Sequence, residues 1–142
     1  MMMQIFKDIN WIAVLVGAVG YFMLGALWYS FLFQKQWITY QGISMEDMNK
    51  PGAKKGVGAI MFASFILMFI TSAAIAILTY RIGIWGWMSA VRLGAFTGVC
   101  FACTSMGINM LYEKKPLGLF LINGSYQVLG NIIAAVVIVC WR

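Results

Sequence analysis

The sequence contains no histidine, and only four of its 142 residues are acidic. Without histidine the chain has no imidazole general base, no histidine axial ligand for haem and no histidine-based metal site. The acidic residues lie near the N-terminus or between the apolar runs: Asp8, Glu46, Asp47 and Glu113. Proton transport through a membrane-embedded carboxylate therefore lacks its central group. Nothing resembles a catalytic triad, a phosphate-binding loop or a metal cluster, so we expect no enzyme activity and no cofactor.

Charge is scarce throughout the chain. Only 10% of the residues are charged and 63% are hydrophobic, with a mean hydropathy of +0.88, whereas a soluble domain carries about 25% charged residues. The net charge of +6 comes from basic residues that lie between or just outside the apolar runs. That distribution indicates a protein flanked by anionic lipid headgroups and not a nucleic-acid binder. We predict an integral membrane protein whose first partner is the lipid bilayer.

Four apolar runs are long enough to cross a membrane as helices, which needs about 20 residues. They cover residues 11–33, 57–78, 88–111 and 117–141. Because lipid satisfies no backbone hydrogen bond, the prediction is an all-α fold, one four-helix transmembrane domain over residues 1–142. The first run is longer than a signal-peptide core and no small-residue cleavage site follows it, so we expect it to be retained.

Four spans place both termini on the same side of the membrane. Four basic residues lie on that side, and six lie in the first and third loops: Lys35, Lys50, Lys54, Lys55, Lys114 and Lys115. The positive-inside rule then places these loops in the cytoplasm and both termini outside. In the first loop, Ser44 and Asp47 have the spacing of a helix N-cap and Pro51-Gly52 follows, which predicts one short helix at the membrane surface.

Small and polar residues recur along one face of the third span: Gly94, Gly98, Ala102, Ser105 and Asn109. Small residues at this spacing let helix backbones approach closely, so the first interpretation is helix packing. Lining of a pore or ligand site is the alternative. In the first span Gly17, Tyr21, Gly25 and Trp28 form a comparable face.

Polar residues in the stretch "LINGSYQVLGN" are unusual for a membrane span. Asn123, Gln127 and Asn131 are four residues apart and share a face, which we call the amide stripe. Buried amides need hydrogen-bond partners, so the stripe is expected to face the bundle interior. Ser125 and Tyr126 fall off this face, and the opposite face is expected to contact lipid: Val128, Ile132, Val136 and Val139.

The short loop "YEKKP" predicts that the third and fourth spans form a tight antiparallel hairpin. Three juxtapositions follow along it: Asn109 and Ser105 beside Asn123 and Gln127, and Gly98 opposite Asn131. With Tyr21 at a similar depth, these residues would form a polar network. The network either holds the helices together, at roughly 0.6 kcal/mol per bond, or surrounds a small polar ligand or permeant.

The "CFAC" motif at Cys100 and Cys103 suggests thiol redox chemistry. The pair lies near the middle of the third span without a nearby cation to stabilise a thiolate, and Cys140 lies at a different depth. Buried small hydrophobic residues are the favoured interpretation.

Three blocks of sequence resemble a known family: "INW" at residues 9–11, "LGALWYSFLFQKQW" at 24–37 and "YEKKPLGLFLINGSYQ" at 112–127. The chain resembles the small bacterial membrane proteins of domain-of-unknown-function family 1761. The resemblance implies a four-helix bundle in the bacterial cytoplasmic (inner) membrane and identifies no catalytic residue. The family often has a proline where this sequence has Phe31. Its signature positions correspond to Asn10, Trp11, Gly25, Trp28, Tyr29, Glu113, Asn123 and Tyr126.

Three hypotheses follow for function. The first is a non-enzymatic bundle that acts by self-association or as an accessory subunit of another membrane protein. The second is a small channel or carrier for a small polar or neutral solute, lined by Asn109 and the amide stripe. The third is a thiol redox enzyme that uses Cys100 and Cys103.

Overall fold

The computed structural model describes residues 2–52 and 55–142, and every regular element within them is a helix. Four helices are long and apolar enough to cross a membrane: Trp11–Leu32, Val57–Ile82, Trp87–Tyr112 and Leu117–Cys140. We call these the first to fourth spans. The predicted all-α membrane fold is confirmed. The second span continues to Ile82, beyond its predicted end at residue 78, until Gly83 ends it in the left-handed conformation at φ 72°.

Two of the spans contain a π-helical segment, in which the backbone turn holds an additional residue. In chain order the elements are α1 (Met2–Asp8), α2 (Trp11–Leu27), π-helical Trp28–Leu32, α3 (Gln34–Gln41), α4 (Met45–Met48), α5 (Val57–Ile82), α6 (Trp87–Thr97), π-helical Gly98–Cys103, α7 (Thr104–Tyr112) and α8 (Leu117–Cys140). The first span is thus α2 with the first π-helical segment, and the third is α6, the second π-helical segment and α7.

The first loop holds two short helices, whereas the sequence predicted one. The Ser44 hydroxyl accepts a hydrogen bond of 3.1 Å from the Asp47 N–H and caps α4 as predicted. The Lys50 ammonium, 2.5 Å from the Asp47 carboxylate, holds the pKa of Asp47 below its usual value. The other helix of this loop, α3, has too few apolar residues for its periodicity to be recognised. Its position is fixed by contacts with the bundle, since Ile38 is buried and α3 packs on α8.

The fourth span lies at the centre of the bundle. Half of its most apolar stretch is buried, against 17% in the second and third spans, and α8 contacts α2, α5 and α6. The glycines of the third span allow the closest approach. A Cβ on Gly94 would meet the Cα of Ile132, and one on Gly98 would lie 2.7 Å from the Cα of Val128. The core is therefore built around α8.

This packing corrects two predictions for the hairpin of the third and fourth spans. Gly98 lies against Val128 and not opposite Asn131, a shift of about one helical turn. Val128 and Ile132 face the third span, and Val139 is buried, so the face assigned to lipid is largely an interior one. The same register already holds next to the loop, where Gly107 lies against Phe120 and the Cys103 thiol donates to the Gly124 carbonyl. The connection between the third and fourth spans therefore sets it, and each residue of the third span lies beside a fourth-span residue closer to the loop than predicted.

Candidate functional site

The amide stripe begins its contacts with the first span at Gln127. The Tyr21 hydroxyl donates a hydrogen bond to Oε1 of Gln127. The Tyr21 ring is 3% exposed and lies on Gly130, where an added Cβ would be 2.5 Å from ring carbons. Because Gly130 has no side chain, the Tyr21 ring can lie across the fourth span and its hydroxyl can reach the Gln127 amide.

Asn123 is bound one turn closer to the first loop. Its Oδ1 accepts a hydrogen bond of 2.8 Å from the Tyr29 hydroxyl. The neighbouring Trp28 donates from Nε1 to the backbone carbonyl of Ile122 at 3.1 Å. Both donors belong to the first π-helical segment, and single π-helical turns often occur at functional sites. Two consecutive aromatic residues thus both reach the same helix.

Asn131 faces the third span and is 3% exposed. Its Oδ1 accepts a hydrogen bond of 3.1 Å from Thr97, and its Nδ2 donates to the Gln127 carbonyl at 2.7 Å. Sequence reasoning missed Thr97, although this hydroxyl lies between Gly94 and Gly98 on the packing face. Each of the three amide oxygens therefore accepts from another helix: Tyr29, Tyr21 and Thr97.

Tyr126 lies beside the amide stripe and is buried, so the fourth span buries a second face that the spacing of the amides does not indicate. The residue is 4% exposed, and its ring packs edge-on against Tyr21 and Tyr29 at centroid distances of 5.4 and 5.2 Å. Gly25 makes room for it, since an added Cβ would lie 2.8 Å from the Tyr126 hydroxyl oxygen. A helix surrounded by three others buries more than one stripe. The three residues Tyr21, Tyr29 and Tyr126 form the tyrosine cluster.

Ser105 and Asn109 do not join this network. Both are exposed, and neither makes a hydrogen bond to Gln127 or Asn123 within the described chain. The predicted position of Ser105 beside the amide stripe is wrong, because the hairpin pairs Cys103 with Gly124 and Gly107 with Phe120, which leaves Gln127 more than one turn further from the loop than Ser105. Asn109 borders a crevice that Asn123 also borders. Ala102 is half-buried, and Glu113 is exposed.

A cavity of about 480 Å³ opens between the first and second spans. Its floor is the tyrosine cluster with Gln127, and the first span contributes Phe22, Ala26 and Ser30. Its second-span wall is formed by Met61, Ser64, Leu67, Met68 and Thr71. None of the described residues that line it is charged. It offers aromatic rings, hydroxyls and one amide.

A smaller crevice of about 290 Å³ lies at the loop end of the bundle. Its polar lining consists of Gln41, Asn109, Glu113, Lys115 and Asn123. Tyr29 borders the cavity and Asn123 borders the crevice. The hydrogen bond between these two side chains therefore lies between the two openings.

At the terminal end, Asn10 joins the first and fourth spans. Its Oδ1 accepts from the N–H groups of Ile12 and Ala13, which caps α2. Its Nδ2 donates 2.9 Å to the carbonyl of Trp141. The indole of Trp11 donates to the Phe6 carbonyl and holds α1 against the start of α2. The role of Asn10 is thus to set the end of the bundle opposite the crevice.

The cysteines of the "CFAC" motif are free thiols in different surroundings. Cys100 is exposed on the outside of the third span. The Cys103 thiol donates to the Gly124 carbonyl at 3.4 Å. Within residues 2–52 and 55–142, no group of three metal-ligating side chains comes together. The Cys103 thiol thus serves as a contact between the third and fourth spans.

Comparison with protein families matches residues 12–139 to a family described as a protein of unknown function, DUF1761. The match spans nearly the whole chain and confirms the resemblance carried by its first and last spans. Neither a curated protein nor a solved structure matches the chain.

Proposed function

We propose that this chain, which belongs to the DUF1761 family, is a non-enzymatic membrane protein that acts by self-association. The observation that carries the proposal is the exposed position of Ser105 on a membrane span. Lipid tails offer no hydrogen bond to its hydroxyl, whereas such residues bond readily across helices. A partner that covers Ser105 can supply the hydrogen bond that lipid tails do not.

The contact surface is the outer face of the third span, formed by Phe101, Ser105, Ile108 and Tyr112. All four are exposed. Ser105 lies about 10 Å from Tyr112 along the helix axis, and so within the bilayer. A hydroxyl both donates and accepts, so two copies of Ser105 satisfy each other across a two-fold axis. This symmetry favours a second copy over an accessory role in a different assembly.

Cysteine crosslinking in membranes tests the proposal. In a chain whose native cysteines are replaced by alanine, Ser105→Cys is expected to form a disulfide-linked dimer on mild oxidation. The matched control is Met23→Cys, which is also exposed and about as far from the loop end of its span. Dimers from neither variant, or equally from both, overturn self-association through this face.

A second candidate is a carrier for a small polar or neutral solute. The hydrogen bond between Tyr29 and Asn123, which lies between cavity and crevice, favours it. Asn131, the next residue of the amide stripe after Gln127, is buried. A solute could therefore reach the terminal side of the membrane only if the helices around Asn131 moved apart. Liposomes containing the protein are compared with empty ones for a panel of solutes such as glycerol and urea. Flux no faster than in empty vesicles defeats the carrier hypothesis.

For membrane orientation we propose that both termini face outside the bacterial cytoplasmic membrane. Six of the ten basic residues lie in the first and third loops, which supports a cytoplasmic position for these loops. In intact cells, an impermeant maleimide is expected to label Lys7→Cys and to spare Lys35→Cys. The reverse pattern contradicts the orientation.

A further inference from the structure

The geometry points to the cavity between the first and second spans as a binding site for a neutral amphiphile that enters from the bilayer. Its uncharged head, a carbonyl or hydroxyl group, contacts Gln127 and Tyr126, and its apolar body lies between α2 and α5. This inference goes beyond self-association and does not depend on it, because the cavity lies within one chain.

The cavity exists because α5 separates from the bundle toward the first loop. The buried residues of α5 are Ser72, Ile75, Ala76 and Thr79, all in its second half. Residues 57–63, in its first two turns, are exposed. At the closed end the Ser72 hydroxyl donates 2.8 Å to the Val14 carbonyl, which joins the helices there. Two helices joined at one end and apart at the other leave a wedge that opens sideways, toward lipid tails.

The floor of this wedge carries hydrogen-bonding capacity that the protein does not use. The Oε1 atom of Gln127 accepts from Tyr21, whereas its Nε2 makes no hydrogen bond within the described chain. Every buried side-chain nitrogen or oxygen among the described residues has a hydrogen-bond partner. Because Nε2 has none, it is not buried, and the cavity that Gln127 borders gives access to it. The Tyr126 hydroxyl makes only long contacts, 3.5 Å to the Tyr21 carbonyl and 3.8 Å to the Met68 sulfur.

The lining determines the class of ligand. A volume of about 480 Å³ lies within the range of roughly 300–1,000 Å³ typical of small-molecule sites. A charged head would lose its hydration without gaining a counter-ion, because no described lining residue is charged. Donors lie at the floor, and Leu67, Met61 and Phe22 lie along the walls. Such a site fits a molecule with one neutral acceptor group and an apolar remainder.

Photolabelling of the full chain in liposomes tests the site. The probe is a dodecanol with a diazirine beside the hydroxyl-bearing carbon and an alkyne on the tail. Labelling is expected to be concentrated on the cavity walls, residues 21–30 and 61–71, and to be competed by unlabelled dodecanol. Diazirine analogues of dodecane and dodecyl sulfonate are expected to label these segments no more than other lipid-facing ones. Equal, uncompeted labelling by all three probes overturns the proposal.

Three variants locate the contact. Gln127→Leu removes the free donor and is expected to reduce competed labelling roughly fivefold, the loss of one hydrogen bond. Ser64→Phe fills the wedge without touching the amide stripe and is expected to abolish labelling at unchanged melting temperature, so the test survives if Gln127→Leu fails to fold. Ser125→Leu is the matched control on the exposed side of the same helix. Wild-type labelling of both Gln127→Leu and Ser64→Phe overturns the proposal.

Discussion

The Tyr29 hydroxyl lies 2.8 Å from Oδ1 of Asn123, which joins the first π-helical segment to the fourth span. The two residues come from segments 94 positions apart in the chain, and each also borders a different opening. The bond therefore connects the first and fourth spans and also separates the cavity from the loop-end crevice.

Tyr29→Phe removes this hydroxyl while retaining the ring that packs on Tyr126. We expect a loss of about 0.6 kcal/mol in unfolding free energy, the average for an interhelical hydrogen bond in a membrane. A double-mutant cycle with Asn123→Leu, followed by denaturation in detergent, isolates the pair, and Tyr40→Phe is the exposed control. Strict additivity of the two changes contradicts a direct bond.

Asn131→Leu replaces an amide that is bonded on both of its arms. The Thr97 hydroxyl keeps its second acceptor, the Gly94 carbonyl at 3.1 Å. We therefore expect a moderate loss of about 1–2 kcal/mol, measured as a lower melting temperature in detergent. Ser125→Leu, exposed on the same helix, should leave melting unchanged. If the two variants melt alike, Asn131 does not stabilise the bundle.

Gly94→Ala introduces a Cβ where the backbone of Ile132 already lies. Because the obstacle is backbone, the third and fourth spans must separate, and we expect a loss of about 1–3 kcal/mol or failure to fold. Gly58→Ala is the matched control, a helical glycine with nothing within 4 Å of the added carbon. It should be neutral or slightly stabilising. Equal melting temperatures for these variants would refute the close contact.

Arg142→Ala tests a contact at the terminal end of the bundle. The guanidinium donates to the carbonyls of Thr79 and Ile84 at 3.4 and 3.0 Å, and it lies over the rings of Tyr80 and Trp85. It thus caps the end of α5. We expect a loss of about 1 kcal/mol, with a smaller effect from the exposed Arg81→Ala. Thermal denaturation in detergent compares the two variants. An equal loss from both would show that Arg142 contributes only its charge and not the specific contacts.

The sequence predicts a helix end correctly where the capping residue belongs to the same helix. Ser44 caps α4 with its own hydroxyl, and the limits of the four spans follow from the apolar length that a bilayer demands. Burial was not readable in the same way. In a soluble protein an apolar face marks the core, whereas in a membrane both the core and the lipid are apolar. Helical spacing therefore predicts lipid contact for Val139, which is buried in the bundle.

The sequence by itself determined the number of spans, their limits to within a few residues and the presence of three amides on one face. These follow from hydropathy and helical spacing, because lipid leaves the backbone no alternative to the helix. Only the tertiary structure decided what each amide binds, where Tyr126 lies and that α5 separates to leave a cavity. Contacts between residues distant in the chain, such as Tyr29 with Asn123 and Gly98 with Val128, depend on the register in which the spans pack, and no local period of the sequence fixes that register.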